Sequence, residues 1–419
     1  MTEAYPGSSS DGETAPFLIN GRSYRRPGRP VVVICFDGCD PAYVTAAMAA
    51  GVVPNLARMM EEGFNAVAQA AMPTFTNPNN VAIACGAPPA VTGVAGNYYL
   101  DRNTGREIMV LDGHQMRVDT LFAHFAAAGI EVAVVTAKDK LLRALARNME
   151  GIALSAESPD GAAAILGDAA PPPAADKYSE ALSLYVLDVG VQLLAAGRAS
   201  VLYLSLSDYV QHKHAPEAPE ALAFMAAVDR RLGRLVELGA IVGIVADHGM
   251  SDMSAEDGTP RITYVQDELE ARFGAGAVRV ICPITDPFVR HHASLGGFVR
   301  VYIKDPALSL EQVRSVLDGM DGVALALPAD AACARFDLPL EGEADVVVVA
   351  QPGVALGATR NEHDLSALAG QRLRSHGGLS ELDVPFILSH PLTADYAARA
   401  GAGLHNYDIF DFAINGVAP

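Results

Sequence analysis

The sequence predicts an α/β fold, a largely parallel sheet sandwiched by helices, with an α+β cap inserted late in the chain. Three observations carry this expectation. Short apolar runs rich in β-branched residues recur over the first 250 residues, helical patterns alternate with them, and the runs stop at aspartate, lysine or histidine. Strands buried on both faces read as continuous apolar runs, and their alternation with helices implies right-handed βαβ units.

Residues 1–30 form a polar, Gly/Ser/Pro-containing stretch that reads as a loose N-terminal segment. It has no apolar run or small-residue cleavage site of a secretion signal. The first strand is VVVICFD (31–37), ending on Asp37. MPTFTNPNNVAIACG (72–86) begins with turn residues and runs into a helix-like apolar segment. Thr76 or Asn77 is expected at its N-cap, with Pro78 at the first helical position. DTLFAHFAAAG (119–129) reads as a helix and VAVVTAK (132–138) as a strand. The Pro/Ala-rich stretch 161–177 reads as a surface loop. A helix (179–197), a strand (200–208), a helix (219–239) and the strand AIVGIVADH (240–248) follow.

Past residue 254 the pattern changes to strands over 298–306, 322–328 and 344–352 with a helix over 308–320. None of these strands ends on an aspartate. A buried-strand signal returns in SHGGLSELDVPFILSHP (375–391). The expected division is a catalytic core of 31–254 and 370–419 interrupted by a cap of 255–369.

Half of the 419 residues are hydrophobic and 19% are charged, enough apolar material for a large core. The net charge of −19 speaks against nucleic-acid or anionic-membrane partners, because phosphate backbones need basic faces. No stretch approaches the roughly 18 apolar residues of a membrane helix. Five cysteines are scattered with no CxxC spacing, so neither a disulfide framework nor a zinc knuckle is indicated. The expectation is a cytoplasmic, reduced enzyme acting on a small molecule. A homodimer is compatible with the sequence.

In an open parallel sheet, ligands bind outside the carboxyl ends of the strands. Those ends here carry Asp37, Lys138, Asp208 and the pair Asp247–His248. His212 follows Asp208 at a spacing that returns both side chains to one side of a helical turn, and His376 sits in a Gly-flanked loop. A strand-end aspartate is often only a helix cap. Several strand ends delivering carboxylates and imidazoles together would repel one another unless cations lay between them. Asp37, Asp208, His212, Asp247, His248 and His376 make six oxygen and nitrogen donors, the right number for two Zn²⁺-like ions with open positions. Thr76, at a helix N-terminus that favours a phosphate-like anion, is the candidate nucleophile. Isolated histidines (His114, His124, His390, His405) read as filler, whereas His291 and His292 are either structural or a substrate contact from the cap.

Taken in order, ICFDGCDPAYV (34–44), PTFTNPNN (73–80), SDYVQHKHAP (207–216), VADHGMSD (245–252) and SHGGLSELDVPF (375–386) resemble the alkaline phosphatase superfamily. Within it the chain is similar to the nucleotide pyrophosphatase/phosphodiesterase branch, and most closely to its members that hydrolyse phosphonoacetate. The resemblance implies an alkaline-phosphatase-like core and two Zn²⁺ per subunit. Asp37, Thr76, Asp247 and His248 would hold one ion and Asp208, His212 and His376 the other. Thr76 would be the nucleophile, and Asn97 in GVAGNYYL, with His212 and His376, would contact the phosphoryl group. The motif TAKDKL sets Lys138 and Lys140 two apart, expected on one side of an extended segment, and the resemblance implies that they hold a substrate carboxylate. The implied reaction is cleavage of the P–C bond of a small phosphonate through a phosphothreonine. A phosphodiesterase or phosphomonoesterase on the same core is the alternative. The PTFTNPN context around Thr76 disfavours a manganese-dependent mutase, and the filled ligand positions disfavour an inactive binding module.

Overall fold

The computed structural model describes residues 16–110, 112–174, 176, 179–285 and 292–418. Its central sheet has seven strands: β1 (Val31–Cys35), β2 (Phe64–Gln69), β3 (Val132–Thr136), β4 (Ile152–Ser155), β5 (Val201–Ser205), β6 (Ile241–Val245) and β7 (Asp383–Leu388). The spatial order is β2-β7-β6-β1-β5-β3-β4. From β6 to β4 every pairing is parallel. β7 runs antiparallel to both β6 and β2. Every residue of β1, β3, β5 and β6 is buried, which is why these strands read as unbroken apolar runs. Pro385 is tolerated in an inner strand because the ladder to β6 ends at Phe386, beyond which only β2 pairs with it.

Helices cover the sheet in two groups. Pro41–Ala49, Pro54–Glu62, Ala181–Ala195 and Pro219–Glu237 pack together, while Thr76–Cys85 packs with the helices Leu121–Ala127 and Asp139–Leu145. The architecture is the expected mixed α/β sandwich.

Between β6 and β7 the chain builds a second, antiparallel sheet, with strands Val278–Ile281, Phe298–Ile303, Val346–Ala350 and Val323–Pro328 in that spatial order. Helix Leu310–Asp318, opened by a Ser309/Gln312 capping box, packs on it. This sheet has its own apolar cluster around Phe298, Val301, Val348 and Leu317, and Met72 and Phe75 from the loop before Thr76 are part of that cluster. The two layers therefore meet where Thr76 stands. Arg300 and Glu343 form a buried bidentate pair at 2.6 and 2.8 Å, and Arg300 also donates to the Ala95 carbonyl at 3.1 Å.

Several local expectations are corrected. Residues 16–30 are not loose: Phe17–Ile19 and Arg22–Tyr24 form a hairpin whose Ile19 and Tyr24 are buried, with Phe17 and Tyr24 meeting Phe125 edge to face. Phe17, Ile19 and Tyr24 supply the anchor that polar neighbours masked, while Leu18 faces solvent. Within 161–177, the first residues belong to a helix spanning Asp160–Leu166. The segment after Asn97 is a hairpin, Tyr98–Asp101 with Arg106–Met109, and its Leu100 packs with Ile281 and Tyr302 of the second sheet.

Candidate active site

The carboxyl ends of the parallel strands converge as expected. Asp37 follows β1, Asp208 follows β5, Asp247 and His248 follow β6, and Lys138 follows β3. The short helix Tyr209–Lys213 begins at Asp208, and its His212 N–H bonds the Asp208 carbonyl at 3.0 Å, one turn apart. His376 comes from the loop preceding β7. There Gly377 (φ +122°) passes so close to Phe75 that a Cβ would lie 2.4 Å from its ring.

Two groups of metal-type donors result. Asp37, Asp247 and His248 form one, and Asp208, His212 and His376 the other, with ligand atoms in each within 4.8 Å of one another and all six residues buried. The His248 and His376 rings stack at 3.5 Å between centroids, so the groups adjoin. Each imidazole places Nδ1 against a backbone carbonyl: His212 on Arg374 at 2.7 Å, His248 on Gly249 at 2.8 Å, His376 on Thr74 at 2.7 Å. A carbonyl only accepts, so Nδ1 carries the proton and Nε2 offers its lone pair inward. Such outer contacts set the tautomer a metal ligand needs.

Thr76 stands at the first position of helix Thr76–Cys85, two residues ahead of Pro78. The expected cap at Thr76 or Asn77 is corrected: Phe75 occupies the cap position with no side-chain bond. Asn79 takes up the carbonyls of Ala71, Pro73 and Phe75 instead. The Thr76 hydroxyl meets His248 Nε2 at 3.3 Å.

Asp37, Thr76, Asn97, Lys138, Lys140, Asp208, His292 and His376 line one cavity. Residues from beyond β6, Ile284 and His292, complete its walls, and the Asn97 N–H bonds the Pro283 carbonyl at 2.7 Å. Lys138 is extended at a helix cap and Lys140 lies inside helix Asp139–Leu145. The expected extended segment is thus corrected; a strand-to-helix turn brings both lysines to the wall. Lys138 Nζ lies 3.8 Å from Asp208 Oδ1. His292 is buried 5.4 Å from the His212 ring, while His291 falls outside the described residues. His114 and His124 are exposed, and His390 and His405 are partly buried away from this cavity.

The electrostatics are adverse to the chain's own charges. Burial, then Asp208 and Asp247, hold the Asp37 carboxyl well above its ordinary range, against the pull of Lys138. Burial also raises Asp247, with His248 opposing. Burial, then His248 and His212, push His376 well below the usual imidazole value. The buried Asp37 Oδ1 makes no hydrogen bond. With its Nδ1 committed, His212 turns a lone pair toward Asp208 Oδ2 at 2.8 Å, an arrangement that calls for positive charge between them. The donor set therefore fits divalent cations in both groups.

Residues 31–378 match the family of type I phosphodiesterase / nucleotide pyrophosphatase. Two crystal structures of a phosphonoacetate hydrolase from Sinorhizobium meliloti, one with phosphonoformate and one with phosphonoacetate, align at 41% identity and a TM-score of 0.89. They cover 97% of this chain and 100% of theirs. A murine ectonucleotide pyrophosphatase / phosphodiesterase 5, in complex with AMP, aligns at 14% identity and a TM-score of 0.63. That match covers 93% of this chain and 96% of the murine one, and it is a likeness of fold.

Proposed function

This chain belongs to the type I phosphodiesterase / nucleotide pyrophosphatase family, and on that premise we propose that it hydrolyses phosphonoacetate to acetate and phosphate with two Zn²⁺ ions per subunit. The observation that carries the reading is the presence of Lys138 and Lys140 on the same cavity wall as Thr76 and Asn97. A phosphonoacetate presents two anionic ends, a phosphonate and a carboxylate, and needs cationic partners beyond those that meet the phosphoryl oxygens. Similarity to an enzyme crystallised with this phosphonate supports the same substrate.

Asp37, Thr76, Asp247 and His248 would hold one ion, and Asp208, His212 and His376 the other. When bound, two such cations neutralise phosphonate oxygens and favour the ionised forms of a threonine hydroxyl and a water. Thr76 Oγ1 attacks phosphorus in line, and an O–P bond forms as the P–C bond breaks. The bonding pair passes to carbon and delocalises into the adjoining carboxylate, where Lys138 and Lys140 stabilise the developing charge. A proton from water completes acetate. Asn97 donates to a phosphoryl oxygen, and His212 and His376 border the same group. Water then cleaves the threonine–phosphate ester, releasing phosphate and restoring the hydroxyl.

The division into a core of 31–254 and 370–419 and a cap of 255–369 belongs to this proposal and is supported by the separate apolar clusters of the two sheets. So does a cytoplasmic location, supported by five unpaired thiols. No helix of the described residues is long and apolar enough to cross a membrane.

The lysines test the substrate. A hydrogen bond to a charged group contributes roughly 1.5–3 kcal/mol. Lys140→Ala should therefore lower kcat/KM for phosphonoacetate about 10- to 100-fold, while p-nitrophenyl phosphate, which has no carboxylate, changes by less than about threefold. Lys138→Ala should show the same selectivity with a larger loss on both, because Lys138 also faces Asp208. Equal losses on both substrates for Lys140→Ala would remove the carboxylate role and favour a phosphodiester or phosphomonoester.

A further inference from the structure

Asn80 lies one helical turn after Thr76 and is fully buried, as are its neighbours Tyr203, Ser205 and Asp247. Its amide meets four partners. Nδ2 donates to the Thr76 carbonyl at 3.0 Å and to Asp247 Oδ2 at 3.1 Å. Oδ1 accepts from Tyr203 Oη and Ser205 Oγ, both at 2.8 Å. The orientation follows from chemistry: a carbonyl and a carboxylate only accept, so the NH₂ must face them, and the two hydroxyls then donate to the oxygen. Asp247 receives its other two bonds, from the Gly38 and His248 N–H groups, on Oδ1 at 3.1 Å each. Asn80 is thus the partner that orients the second oxygen of this carboxylate.

We propose that Asn80 is a positioning residue that sets the peptide of the nucleophile Thr76 and the carboxylate of Asp247 in a common register, so that one cation can meet both. This rests on the reading of Asp37, Thr76, Asp247 and His248 as one ion's ligands. The sheet supplies the reference frame. Tyr203 and Ser205 are alternate residues of β5, so their side chains rise from the same face and clamp the amide oxygen. The spacing is dictated by the helix: residues four apart share a face, which puts Asn80 beneath Thr76 and against the strand ends. Partners of this outer kind typically contribute 10- to 100-fold to metal affinity.

The test is Zn²⁺ binding by the full chain, titrated against a chelating dye. Asn80→Asp keeps the shape but turns an oxygen toward Asp247. The result expected is that one of two Zn²⁺ ions binds at least about tenfold more weakly while the other is unchanged. With p-nitrophenyl phosphate at saturating Zn²⁺, kcat should fall and KM should stay within about twofold. The pair Tyr203→Phe and Ser205→Ala frees the amide to turn and should give the same selective weakening to a smaller degree, which keeps the inference testable if Asn80→Asp fails to fold. Wild-type affinity for both ions in either variant would overturn it, as would equal weakening of both ions. Wild-type protein binding fewer than two Zn²⁺ would instead contradict the ligand assignment itself.

Discussion

Thr76→Ala is expected to lose at least about a thousandfold in turnover of phosphonoacetate and of p-nitrophenyl phosphate alike, while Zn²⁺ content stays near two per chain. The magnitude follows from the role proposed for the hydroxyl. Without it no O–P bond to the enzyme forms, and the residual rate comes only from groups that bind and polarise the substrate. Metal content should survive because the described donors are three carboxylates and three imidazoles that the substitution leaves in place. The helix should survive too, because Phe75 rather than Thr76 is at the cap position and Asn79 ties the preceding turn. The measurement is steady-state kinetics beside elemental analysis of the same preparation. Turnover retained within tenfold would remove Thr76 from the chemistry.

Chelation should have the second large effect. EDTA is expected to abolish turnover of every substrate and to lower Tm by several degrees, with Zn²⁺ restoring both. A ligand present at a hundred times its Kd stabilises the native state by about 2.7 kcal/mol per site. The buried carboxylates give the effect a pH dependence. Asp37 and Asp247 sit above the ordinary carboxylate range, so protons compete for them more strongly than for free aspartates. The sign follows: the Zn²⁺-induced rise in Tm should shrink as pH falls, because a protonated carboxyl no longer receives the cation. Differential scanning fluorimetry with and without Zn²⁺ from pH 8 to pH 5 reads this directly. A Zn²⁺ shift that is absent at pH 8, or that grows toward pH 5, would contradict the cation sites.

Most of the candidate site was legible because its residues stand at the ends of strands buried on both faces, the easiest strands to read. Val31–Cys35, Val201–Ser205 and Ile241–Val245 are unbroken apolar runs, and Asp37, Asp208 and Asp247 follow them closely. Strand Phe64–Gln69 escaped because it lies at the sheet edge with only Ala68 fully buried, so its composition resembles a loop. The hairpin after Asn97 escaped for a different reason. Its Leu100 is buried against Ile281 and Tyr302, residues about 180 and 200 positions away, and no local pattern carries such a contact. Asn80 was visible in TNPNN at helical spacing from Thr76, but an asparagine by itself does not announce a partner. What gives it meaning is the pair of hydroxyls from β5, 123 and 125 positions away in sequence, which no local pattern connects to it. The buried Arg300–Glu343 pair likewise joins residues 43 positions apart, and Arg300 donates to the carbonyl of Ala95, two residues before Asn97.

The most direct test of the account is product release from phosphonoacetate, followed by phosphorus and proton NMR with Zn²⁺ supplied, beside p-nitrophenyl phosphate and a nucleotide diester. The account predicts acetate and phosphate in equal amounts, at a kcat/KM above that of either ester, and no release in EDTA. A diester cleaved faster, with phosphonoacetate intact, would contradict the phosphonate reading and return the site to the phosphodiesterase chemistry for which the family is named.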